Sequence, residues 1–101
     1  VYMAKLIEKL LRKGKTLLPL FDEESEYYVG MGAVIEHTRY SPETVHRIQT
    51  GNREPTTNFI ESVTLNLRYK SNVIDDAGKD ITNEFYTSKN LFGEEYADIV
   101  L

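Results

Sequence analysis

At 101 residues, 41% of them apolar and 28% charged, the chain fits one soluble domain with a modest core, near the size at which oligomerisation adds stability. No apolar run approaches the ~20 residues of a membrane span, no signal peptide stands at the start, and the lack of cysteine excludes disulfides and fits a cytoplasmic location. The net charge of −4 excludes a basic protein that coats DNA without selectivity, though not a small binder whose positive charge is local.

Taken in order, Tyr2 to Lys13 places Leu6, Ile7, Leu10 and Leu11 on one stripe with Lys5, Glu8, Lys9, Arg12 and Lys13 around it. This predicts an amphipathic helix ended by Gly14, its stripe suited to core packing or a dimer contact. Leu17-Leu18-Pro19-Leu20-Phe21 is apolar but interrupted by Pro19, so it reads as an extended or turn-like segment. Asp22 to Glu26 is a charged loop or helix start. Beyond it two patterns compete. Met31, Val34, Ile35 and Thr38 fall at i, i+3, i+4 and i+7, one helical stripe, while Val29, Met31, Ala33 and Ile35 alternate as a strand does.

The stretch from Ser41 to Pro55 is the most informative. Ser41 is a good N-cap, because its hydroxyl can accept a backbone N–H that the first turn leaves unpaired. Pro42 follows at the first helical position, where its missing N–H costs nothing. Gly51 stands where a helix should stop, free to adopt the left-handed conformation. Between them Val45 and Ile48 face one way, and Glu43, His46, Arg47 and Thr50 the other. With the stripe before it, this predicts a helix-turn-helix over about residues 29–51, the motif that seats its second helix in the DNA major groove.

Thr38 to Ile48, closing at Gly51, resembles the Ser-x-x-Thr-Val-x-Arg-[Ile/Val]-x-x-Gly signature of the phage-repressor (Cro-type) and lac-repressor-type helix-turn-helix domains. The continuation Gly51-Asn52-Arg53-Glu54-Pro55 resembles the Gly-x-Arg-x-Pro that follows in the Cro-type group. The resemblance covers roughly Val34 to Leu67. Ile35 stands where those domains have Ala, and Arg39 where they have Gly. The first helix is therefore expected to sit further off and the turn to be built differently. What the resemblance implies is sequence-specific binding of double-stranded DNA by a homodimer, as a phage or plasmid repressor or as an accessory protein at an origin of replication or transfer. A replication, transfer or transcription protein is then a further possible partner. Arg47, His46, Glu43, Thr44, Thr50 and Asn52 would face the DNA from the second helix and its end. Arg is the commonest reader of guanine and Glu can accept from cytosine N4. Arg39, Arg53, Arg68 and Lys70 would hold phosphates, which positions without specifying.

After Pro55, a helix from Thr57 to about Ser62 is expected to give way to a strand, because Val63, Leu65, Leu67 and Tyr69 alternate. Asp75-Asp76-Ala77-Gly78-Lys79 is a turn signal, and Ile81 to Thr87 suits a returning strand. A hairpin over about residues 63–87 would be a wing, with Arg68, Lys70, Asn72 and Lys79 able to enter a groove. The expected architecture is thus α+β, one small winged helix-turn-helix DNA-binding domain over residues 1–101: N-terminal helix, helix-turn-helix, C-terminal β-hairpin wing. The tail from Leu91 to Leu101 is apolar enough to pack on the body.

Charge distribution agrees with a local binding face. From Arg39 to Lys70, Arg39, Arg47, Arg53, Arg68 and Lys70 stand against Glu43, Glu54 and Glu61, with acid gathered at Asp22 to Glu26 and at Glu94, Glu95 and Asp98. No enzyme is expected: His37 and His46 have no nucleophile or acid at a familiar spacing, no metal set is present, and no cofactor loop is formed by Gly30-Met31-Gly32. The alternative is a β-rich, non-enzymatic phage interaction protein or an acidic inhibitor of a host nucleic-acid enzyme. It reads Val29–Tyr40, Val63–Tyr69 and Ile81–Thr87 as strands of one sheet.

Overall fold

The computed structural model describes residues 17–101, so the helix read over Tyr2 to Lys13 lies outside the described residues. A 3₁₀ turn at Pro19–Phe21 is followed by α1 (Met31–His37), α2 (Pro42–Gln49), α3 (Thr57–Lys70), α4 (Thr82–Phe85) and α5 (Ser88–Phe92), and a second 3₁₀ turn at Glu94–Tyr96. α1 packs on both α2 and α3, while α5 packs on α3 and on the two 3₁₀ turns. Their shared core comprises Leu20, Phe21, Val34, Val45, Ile48, Phe59, Ile60, Val63, Leu67, Leu91 and Phe92, all buried. Phe59 lies at its centre, edge-on to Tyr40 at 5.0 Å and to Phe92 at 6.0 Å. No described helix is long and apolar enough to cross a membrane.

The winged α+β architecture is not what the chain adopts. Among the described residues there is no β-strand, and the segment expected to cross from helix to strand continues as one helix to Lys70. The reason is which side chains the core takes. Phe59, Ile60, Val63, Thr64 and Leu67 are buried at i, i+1, i+4, i+5 and i+8, one helical stripe. Of the alternating set, Leu65 and Tyr69 point outward, Tyr69 with 87% of its surface exposed. Burial thus overrides the β-preference of Val63 and Tyr69. Thr56 begins α3, its hydroxyl accepting from the Phe59 N–H at 3.1 Å.

The turn expected at Asp75–Lys79 does form, with Gly78 at φ +85° and the Asp75 N–H donating to the Lys79 carbonyl at 2.9 Å. It joins no strands. A single bridge between Ile74 and Asp80 flanks it. The returning strand is replaced by α4, which starts where the Asp80 carboxylate accepts from both the N–H and the hydroxyl of Thr82. Those two hydrogen bonds hold the Asp80 carboxyl below its ordinary pKa. The β-rich alternative fails on the same ground, since Met31–His37, all of Val63–Tyr69 and part of Ile81–Thr87 are helical.

The ambiguity around Gly30 and Gly32 resolves in favour of the helix. Gly30 is buried at φ +90° and precedes α1; its N–H and that of Val29 both donate to the Leu20 carbonyl at 2.9 Å. Val34, absent from the alternating set, is the residue of α1 that is buried.

Candidate nucleic-acid interface

α2 is fixed at both ends by local chemistry. The Ser41 hydroxyl accepts from the Thr44 N–H at 3.2 Å and donates to the Thr44 hydroxyl at 2.9 Å, with Pro42 at the first position. At the other end Gly51 takes φ +82°. The Asn52 N–H donates to the Arg47 carbonyl at 3.0 Å and the Gly51 N–H to the Ile48 carbonyl at 3.2 Å. This is the paired pattern of a Schellman stop, which satisfies carbonyls that the helix end leaves open. Val45 and Ile48 anchor the underside in the core.

The turn between α1 and α2 is built without glycine. Thr38 leaves α1 with extended backbone (φ −123°, ψ 171°), and its hydroxyl donates to the Val34 carbonyl at 2.8 Å. The same oxygen accepts from the Tyr40 N–H at 3.4 Å, and Tyr40 then lays its ring against Phe59. One hydroxyl thereby closes α1 and bends the chain toward Ser41. Arg39 projects outward from this turn, and Ile35 is half-buried against the core.

Glu43, His46, Arg47 and Thr50 lie within one turn-facing stripe of α2, opposite Val45 and Ile48. Glu43, His46 and Arg47 are exposed and Thr50 is half-buried, donating to the Arg47 carbonyl at 3.2 Å. Glu43 and Arg47, four apart, are joined by an ion pair with both side chains more than half exposed. Thr44 is half-buried and occupied with the cap. Asn52 and Arg53 follow on the exposed loop. The structure therefore gathers Glu43, His46, Arg47, Thr50, Asn52 and Arg53 along α2 and its end, with Arg39 on the preceding turn.

The remaining expected residues fall elsewhere. Lys70 ends α3, about 20 Å along its axis from Thr57. Asn72 and Lys79 are exposed in the loop beyond it, without the hairpin that was to carry them. Arg68 has an internal role: its Nε donates to the Tyr86 carbonyl at 2.7 Å and a terminal nitrogen donates to the Leu101 carbonyl at 3.1 Å. It binds the end of α3 to the segment after α4 and to the tail. Arg68→Ala is expected to lower stability by about 1.5–3 kcal/mol, the range for hydrogen bonds from a charged donor. Urea denaturation checks it; an unchanged midpoint would return Arg68 to the surface.

Tyr96 is a residue that sequence reading passes over. Its hydroxyl donates to Glu54 Oε2 at 2.8 Å, tying the tail to the loop that carries Arg53. Burial, then the Glu54 hydrogen bond and charge, push the phenol well above its ordinary pKa. Nothing local signals a contact across 42 positions. A comparison with models of protein families, with curated proteins and with solved structures finds no match to the chain.

Proposed function

We propose that the chain binds double-stranded DNA at specific sequences through α2, acting as a homodimer in the manner of a phage or plasmid repressor or of an accessory protein at an origin of replication or transfer. The observation that carries this reading is the two-helix unit itself. α2 is capped at both ends, anchored by Val45 and Ile48, and presents Glu43, His46, Arg47 and Thr50 outward in one row. Two such helices in a two-fold pair meet two half-sites, which gives an eight-residue helix enough contacts for selectivity. Arg47 is assigned to a base edge, with guanine the favoured partner. Arg39 and Arg53, on the loops at either end of α2, are assigned to phosphates. A net charge of −4 keeps the rest of the surface from holding DNA without selectivity.

The test is retention of fragmented DNA from the chain's own replicon, followed by sequencing and competition against random duplex. Arg47→Ala is expected to weaken the retained site by roughly 1–3 kcal/mol and relax preference at one base position. Arg53→Ala is expected to weaken all duplexes alike. Equal behaviour of wild type and both variants toward selected and random DNA would remove the proposal.

A further inference from the structure

We infer that Glu43 and Arg47 act as one neutral reading unit, in which Glu43 denies Arg47 to phosphates and restricts it to a guanine lying one or two base pairs from a cytosine. The inference rests on the DNA-binding reading above and says what kind of site α2 selects. It starts from the ion pair. Arg47 and Glu43 are four residues apart with Glu on the N-terminal side, the favourable order for a helical pair. Both are exposed, and Val45 and Ile48 fix the helix beneath them, so the pair projects to solvent from an anchored helix.

Consider the two surfaces DNA offers. Non-specific binding is almost wholly phosphate contact, and each cation laid on a phosphate releases counterions. An Arg47 laid on a phosphate brings Glu43, one helical turn away, against a backbone that carries a charge every ~3.4 Å along each strand. The carboxylate then has no partner and faces its own sign of charge. Major-groove edges treat the pair differently. Guanine offers the O6 and N7 acceptors that a guanidinium takes in a fork, and cytosine N4 offers the donor that a carboxylate takes. Four residues of helix rise ~6 Å, between one and two base steps of ~3.4 Å, so both groups find partners only when a guanine and a cytosine stand that far apart. His46, the other exposed side chain of the row, flanks the pair and would reach a neighbouring base pair.

The experiment compares wild type with Glu43→Gln, which keeps the shape and removes the charge, using random-sequence duplex and sites selected from a randomised library. Matching thermal melts establish that both are folded. Glu43→Gln is expected to bind random duplex about tenfold more tightly, with a salt slope steeper by about 1.8, the signature of one further phosphate contact from each copy of the dimer. Its selected sites should keep the guanine and lose the cytosine. Unchanged random-duplex affinity, or the same cytosine in both sets of sites, overturns the inference while leaving the DNA-binding reading standing. Absence of any duplex binding by wild type and variant overturns both.

Discussion

Val45→Asp is expected to leave the domain unfolded at 25 °C, while Glu43→Ala, two residues away, folds. Val45 is fully buried under α2, where a carboxylate finds no cationic partner. An uncompensated buried charge costs about 3–5 kcal/mol, and the lost apolar packing adds to it. A small domain has only about 5–15 kcal/mol in all. Glu43 is exposed, and removing it forfeits an i,i+4 pair worth about 0.3–0.5 kcal/mol. Circular dichroism on heating separates the two outcomes. Similar melting of both variants would mean that α2 does not rest on the core through Val45.

The second large effect is on DNA affinity as salt is raised. Arg68 is engaged internally and Arg47 is paired with Glu43, which on the proposed DNA-binding reading leaves Arg39 and Arg53 as the phosphate-facing cations beside α2 in each copy of the proposed dimer. Two copies then neutralise about four phosphates, and log K should fall against log salt with a slope of about −3.6. Between 50 and 200 mM salt this is a loss of roughly 10²-fold. Fluorescence anisotropy with a labelled duplex measures it directly. A slope near zero would remove DNA as the partner; a slope twice as steep would place further cations, Lys70 or Lys79 among them, on the backbone.

What could be read from the sequence follows the range of the interactions. Ser41, Pro42 and Gly51 act within four or five residues of themselves, so cap, first turn and stop of α2 were visible, as were Val45 and Ile48 beneath it. The turn at Asp75–Lys79 was equally local. The second half of α3 is ambiguous in sequence because Val63, Leu65, Leu67 and Tyr69 satisfy a strand's period while Phe59, Ile60, Val63 and Leu67 satisfy a helix's. Only the core, assembled from segments distant in sequence, chooses between them. Long-range hydrogen bonds left no trace at all. Arg68 looked like any other surface cation, yet its acceptors lie 18 and 33 residues away, and the partner of Tyr96 lies 42 away. The bounds of α2, which carries the candidate residues Glu43, His46 and Arg47, are therefore legible in the sequence, while the hairpin expected to carry Arg68, Lys70, Asn72 and Lys79 does not form.

The Thr38 turn has an electrostatic consequence. A bend made by glycine gives solvent nothing but bare backbone. Here the bend is closed by a hydroxyl one position earlier, and position 39 is an arginine rather than a glycine. The chain fills it with a guanidinium at the doorway to α2. In a molecule of net charge −4, that exchange places a cation at the leading edge of the face proposed to meet DNA.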